Sequence, residues 1–301
     1  MNTSRDLLRL WSSVNQESLR WTSRQSKGLK FYQEKFTSPG LLNEYLREHG
    51  RQGEITCTRD DKHHQVYHVT LNNLAKKNAL SGKMMVDLRR VARELTEHKK
   101  TRLAVVRGAE GTFCSGGDIE FVKAIANEEG AYVMSTVMGE TLSTIANSSF
   151  VSLAVLEGFT LGGGTEIASA CDLRIVHKNA KVGFVQGRMG VSPGWGGGRF
   201  IVQALGRSRA IEYLATGAVL GAEELVKIGY ASAVFDEEAE VAAFIEKMNN
   251  SIGLAALHGA KEVVHGHADS SNGNATEKKV FMQLWGGHEH LTALANLKKH
   301  K

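Results

Sequence analysis

The sequence predicts an α/β fold, on three observations. Short apolar runs alternate with stretches whose apolar residues recur every three or four positions, as in strands followed by helices. Three glycine-rich loops each follow such a run and precede a helical stretch. The chain has 301 residues, enough to bury a core without a disulfide or metal staple.

The elements follow in order. Residues 1–50 form an N-terminal leader plus a short helical element, punctuated by Pro39 and Gly40. The first thirty residues carry Arg5, Arg9, Arg20 and Arg24 against only Asp6 and Glu17. A transit peptide has that composition, and so does a loosely ordered arm on a cytosolic protein. Alternation from Gln65 to Leu71 predicts a half-buried strand. After a polar loop over Asn72–Asn78, Ser81 caps a helix from Lys83 to His98, with Met84, Leu88, Val91 and Leu95 on one face. Strands are predicted at Leu103–Arg107, Val151–Leu156, Leu173–Val176 and Val182–Phe184. Helices are predicted over Ile119–Ala126, Tyr132–Asn147 and Thr165–Ala170, and from the third glycine loop to about Gly229. The core is expected over residues 51–245. Residues 246–301 form a helical C-terminal region with breaks around Gly266 to Gly273.

Composition excludes several classes. The formal net charge of +5 is spread along the chain, with no basic block interleaved with aromatics, so no nucleic-acid partner is expected. No apolar run is long enough to span a bilayer, so no membrane partner is expected either. Cys57, Cys114 and Cys171 show no pairing by spacing, which points to a reducing compartment. The cytosol is the first expectation, with the mitochondrion the alternative if the leader is a transit peptide. The histidine pairs His265/His267 and His288/His290 lack the helical four-residue spacing of a metal pair. They are read as solvated, and no metal is expected.

The loops are Gly108–Asp118, Gly158–Gly164 and Gly187–Gly198. A strand-to-helix turn presents free backbone N–H groups and the positive end of a helix. Three such turns within ninety residues point to a shared crevice rather than to three unrelated tight turns. The dinucleotide fingerprint fails, because Ile167 or Arg199 stands where its third glycine is needed. No Walker lysine follows any loop. Gly190-Val191-Ser192-Pro193-Gly194 matches a nucleophile elbow in spelling. Pro193, however, has no N–H to stabilise an oxyanion after the serine. Cys114 has no partner histidine nearby and is read as a small packed side chain, and Asp172 as a group that ties down backbone.

Phe113-Cys-Ser-Gly-Gly-Asp118, Leu161-Gly-Gly-Gly-Thr-Glu166 and Gly190-Val-Ser-Pro-Gly-Trp-Gly-Gly198 together resemble the crotonase (enoyl-CoA hydratase/isomerase) superfamily. Asn78-Ala-Leu-Ser81 and Ala170-Cys-Asp172 add to the resemblance. It implies a crotonase-like spiral of ββα units assembled as a homotrimer or homohexamer. It also implies an acyl-CoA thioester substrate, with coenzyme A part of that substrate and no separate cofactor. Matched motif to motif, the N–H groups of Gly117 and Gly163 form an oxyanion hole for the thioester carbonyl. Lys77, Asn78, Ala79 and Ser115 lie on the coenzyme A side.

Hydratases of that family resemble one another in positioning water with two glutamates. The first matches Glu166, whereas the position of the second holds Gln186, which cannot take a proton. Trp195 in the third loop, Trp285, and the Phe31-Tyr32 segment resemble the ethylmalonyl-CoA decarboxylase branch. That branch implies loss of CO2 from ethylmalonyl-CoA or methylmalonyl-CoA through a stabilised enolate. In it Gln186 orients the carboxylate, and Trp195 is either an apolar wall or a packed core residue. Glu166 is either the proton donor or a hydrogen-bonding group. A hydratase or isomerase working with Glu166 alone, and a non-catalytic acyl-CoA-binding protein, are the alternatives.

Overall fold

Residues 28–269 and 273–297 are described in a computed structural model of the chain. The arginine-rich leader therefore lies outside the described residues, apart from its last few positions. A first helix, α1 (28–35), is followed by α2 (Pro39–His49), where Pro39 opens the helix rather than breaking it. Proline suits that position, because the first helical N–H has no intrahelical partner to lose.

Strands β1 (Glu54–Arg59) and β2 (Val66–Asn72) pair antiparallel. Helix α3 (Gly82–Glu97) begins where Ser81 Oγ accepts from Met84 N. The four face residues predicted from spacing are all buried. Next come β3 (Leu103–Gly108), α4 (Ile119–Ala124) and α5 (Glu128–Ala146). Helix α5 starts four residues before the predicted Tyr132, because Asn127 Oδ1 accepts from Gly130 N at 2.8 Å and caps it there. Then follow β4 (Val151–Leu156), β5 (Phe159–Leu161), α6 (Gly163–Ala170), β6 (Leu173–His177), β7 (Lys181–Gly183) and α7 (Gly198–Thr216). The chain continues through β8 (Val219–Leu220), α8 (Ala222–Lys227), β9 (Ala233–Phe235), α9 (Glu238–Asn250), α10 (Leu254–Asp269), α11 (Gly273–Leu284) and α12 (His288–Leu297). The break predicted at Gly266 is not one, since α10 runs through it to Asp269; residues 270–272 lie outside the described residues.

The large sheet has the order β1-β2-β3-β4-β6-β9 and is parallel from β2 onward. A smaller sheet has the order β5-β7-β8. The chain visits both in turn: β4 then β5 then α6, and β6 then β7 then α7. The segment after β3 joins the same scheme, because Cys114 pairs with Thr160 and Leu80 with Gly117. This is the spiral of ββα units expected, followed by C-terminal helices.

Both faces of the large sheet are covered at β3 and β4, which is why those strands read as nearly unbroken apolar runs. Ala104, Val106, Ala154 and Leu156 face a core shared with α3, α5 and α6. Leu103, Val105, Leu153 and Val155 face a second core against Val241 and Ile245 of α9 and Leu257 of α10. The strand β1 was not predicted. Its sequence is polar because it lies at a sheet edge, and Ile55 is its one buried residue.

Candidate active site

Three backbone segments lie side by side at one end of the small sheet. Ser115 N donates to Lys77 O at 3.1 Å, Leu80 N to Gly116 O at 2.8 Å, and Asp118 N to Leu80 O at 2.9 Å. On the other side Cys114 N donates to Phe159 O at 3.0 Å, and Leu161 N to Cys114 O at 2.9 Å. In a parallel ladder, a residue whose neighbours bond one strand turns its own N–H to the opposite side. Leu80 uses the groups flanking Gly117, so Gly117 N–H faces away from Leu80, toward the 159–163 segment. Gly116 has φ +107°, a conformation that requires glycine and ends the ladder there. A Cβ on Gly116 would lie 3.7 Å from Gly163 N. The two loops thus bring the turns carrying Gly117 N and Gly163 N together.

Gly162, with φ +53°, swings the chain from β5 into α6. Gly163 is the first residue of that helix, so its N–H has no intrahelical acceptor. Among the described residues, neither Gly117 N nor Gly163 N donates a hydrogen bond.

Trp195 covers this place. The indole is 5% exposed, and a Cβ on Gly163 would collide with its six-membered ring. A Cβ on Gly117 would sit 3.6 Å from Trp195 Cζ2. Trp195 belongs to the core cluster, and its ring edge also borders both glycines. Trp285 lies elsewhere, exposed at the end of α11 against Phe281 and His290. Tyr32, one helix away, stacks on Tyr132.

Glu166 sits in the first turn of α6 and is 2% exposed. Its Oε2 accepts from Trp195 N at 2.8 Å and Gly197 N at 2.9 Å. Its Oε1 accepts from Gly194 N at 3.2 Å and Gln186 Nε2 at 3.5 Å. A carboxylate offers about four lone-pair sites, and here four donors converge on them. Burial pushes the Glu166 carboxyl above the usual carboxylate range, and the N–H groups pull the other way without cancelling it. Gly197 is glycine because a Cβ there would strike Glu166. The third glycine loop is therefore clasped to α6 by one side chain, and the clasp seats Trp195.

Gln186 is 6% exposed and stands in a short 3₁₀ turn, Gln186–Met189. Its Nε2 also donates to Gly162 O at 3.1 Å. Both neighbours of that nitrogen are acceptors, so the amide orientation is fixed with NH2 toward them. Arg188 lies along Gly217, outside this cluster.

Lys77, Asn78, Ala79 and Ser115 are brought together by the 77–80 and 114–118 pairing. Asn78 is buried and its side chain is committed to backbone, accepting from Asn73 N and donating to Ala109 O and Thr112 O. Ser115 Oγ donates to Lys76 O at 3.0 Å. Lys77 Nζ lies 5.0 Å from the centre of the Phe159 ring. Asp118, beside Gly117, accepts from Glu120 N and caps α4. Cys114 and Cys171 are buried, and burial pushes both thiols up to about 12. No group of metal-ligating side chains occurs among the described residues. Two of the histidines read as solvated have carboxylate neighbours: His265 Nε2 lies 3.2 Å from Asp172 Oδ1 and His267 Nε2 lies 2.8 Å from Glu277 Oε2. The backbone donors of Gly194 and Gly197 were missed from sequence; the run of glycines in that loop was the available clue.

A two-layer strand spiral with paired glycine turns defines a crotonase-type protein. A profile of the Enoyl-CoA hydratase/isomerase family matches residues 61–288, and the chain belongs to that family. Within it, the chain is 28% identical over 299 residues to the ethylmalonyl-CoA decarboxylase of Xenopus laevis, covering 96% of this chain and 98% of that one. It is 35% identical over 243 residues to the ethylmalonyl-CoA decarboxylase of Danio rerio, covering 76% and 79%. Among solved structures, an enoyl-CoA hydratase from Bacillus anthracis superposes with a TM-score of 0.76 at 26% identity, covering 82% of this chain and 97% of that one. No helix among the described residues is long and apolar enough to cross a membrane.

Proposed function

We propose that this chain is a carboxy-lyase acting on 2-alkylmalonyl-CoA thioesters, ethylmalonyl-CoA first and methylmalonyl-CoA second. The thioester oxygen accepts hydrogen bonds from Gly117 N and Gly163 N. The bond between the α-carbon and the carboxylate breaks, its electron pair moves into the enolate, and CO2 leaves. The α-carbon then takes a proton. Each preorganised N–H donor contributes about 3 kcal/mol to stabilising the enolate oxygen. Trp195 supplies an apolar border where the carboxylate sheds water on its way to neutral CO2. Lys77, Asn78, Ala79 and Ser115 shape the coenzyme A side, and the active form is a homotrimer or homohexamer.

The observation that carries this reading is the saturation of Glu166. Hydration needs a carboxylate with a free lone pair to take a proton from water. Glu166 has four donors on its two oxygens, and its partner position holds Gln186. Decarboxylation needs no base. Glu166 then acts as a hydrogen-bonding clasp rather than as the acid, because a proton on either oxygen would displace an N–H. The names of the relatives support the same reaction.

The test supplies purified protein with ethylmalonyl-CoA, methylmalonyl-CoA and crotonyl-CoA and follows products by mass. Butyryl-CoA and CO2 from the first are expected. Hydroxybutyryl-CoA from crotonyl-CoA with no CO2 from either malonyl thioester would replace this reading with hydration. No turnover at all would leave a binding protein.

A further inference from the structure

Decarboxylation, as proposed above, ends with a carbanionic α-carbon that must be protonated from one side. Both Glu166 oxygens are engaged by N–H donors, so a proton carried there would compete with one of them. Four buried side-chain polar atoms among the described residues have no partner: Arg89 Nε, Arg102 Nη1, Thr160 Oγ1 and Gln186 Oε1. Of these, Gln186 Oε1 alone is a pure acceptor, and its amide nitrogen reaches Gly162 O, one residue from Gly163 N. The opposite orientation of the amide would set Oε1 against Gly162 O and the Glu166 carboxylate, so the acceptor cannot be hidden by a flip. A buried acceptor is destabilising if nothing donates to it. A substrate carboxylate cannot serve, because it too only accepts. An O–H donor can.

From this orphaned, buried acceptor beside the Gly163 turn we infer that Gln186 Oε1 holds the water that protonates the enolate. One O–H of that water donates to Gln186 Oε1, which directs the other at one face of the α-carbon. The proton passes from water to carbon, the O–H electron pair stays on oxygen, and the resulting hydroxide is reprotonated from solvent. The inference rests on the decarboxylase reading. It makes Gln186 a positioning residue that acts through water, not a ligand of the departing carboxylate.

The experiment runs turnover of ethylmalonyl-CoA in deuterated water and measures both CO2 release and the configuration of the deuterated α-carbon in butyryl-CoA. The native enzyme is expected to give one configuration. Gln186→Met keeps length but removes the amide. It is expected to give both configurations in comparable amounts and to lower kcat by about 10-fold, with KM nearly unchanged. A thermal melt checks that the variant folds. A folded Gln186→Met that keeps a single configuration overturns the inference. If Gln186→Met does not fold, the native enzyme decides by itself: both configurations in comparable amounts from it in deuterated water overturn the inference. Absence of CO2 release from the native enzyme sinks the decarboxylase reading instead, so the two failures are distinct.

Discussion

Gly163 shows how one position can be fixed by several constraints at once. It opens α6, its N–H has no acceptor among the described residues, and Trp195 fills the space a side chain would need. Gly163→Pro deletes that donor and presses a ring against the indole. The expected loss is on the order of 10²- to 10³-fold in kcat, measured on a variant whose melting curve shows it folded. Full activity in such a variant would mean that the enolate oxygen is bound elsewhere. At this scale the residue types of the site were legible: Gly117, Gly163, Glu166, Gln186 and Trp195 stand out by motif. The state of Glu166 was not. Three of its donors are main-chain groups 28 to 31 residues downstream, and no side-chain letter records where a backbone N–H points.

Among elements, the attachment of α10 to β4 decides how the C-terminal helices are held. Lys261 is buried and donates to Asp172 Oδ2 at 2.7 Å, Phe150 O at 2.6 Å and Ser148 Oγ at 3.2 Å. Asp172 also accepts from Ser152 N and Oγ and pairs with His265, so the expected backbone-tying role extends to a helix far along the chain. Lys261→Met leaves Asp172 with one buried partner fewer and is expected to cost about 3 kcal/mol in urea unfolding. Burial alone would raise the Asp172 carboxyl, but His265 and Lys261 hold it below the usual aspartate range. Its folded value lies below its unfolded one. Its stabilisation is therefore full above the unfolded value of about 3.9 and fades as pH falls through the folded value. Asp172→Asn is expected to flatten the acid limb of a stability–pH curve below about pH 4. An unchanged acid limb would show that other carboxylates dominate there. The strand and helix of this attachment were legible as local patterns; the Asp172–Lys261 pair that ties them, 89 residues apart in sequence, was not.

For the whole molecule, the large sheet contributes residues to both apolar cores. Leu153 is fully buried between β3 and β6, facing the α9 and α10 side, and Ala154 beside it faces α3 and α5. Leu153→Ala is expected to cost about 2–5 kcal/mol, read as a lower urea midpoint with an unchanged slope. A loss below about 1 kcal/mol would mean that the second core collapses around the gap.

The sequence by itself determined the α/β class, the family motifs, the glycine turns and, to within a few residues, the strands and helices of residues 65–170 other than β5, which lies inside the loop expected over Gly158–Gly164. These follow from local chemistry: periodicity, capping and the freedom of a residue without Cβ. Tertiary structure alone decided which glycine turns meet, how the 77–80, 114–118 and 159–163 segments align, and that Glu166 is spent holding a loop while Gln186 keeps an acceptor. Those facts depend on backbone groups converging across long separations in sequence. Such convergence is set by packing of the spiral as a whole, not by any neighbouring residues.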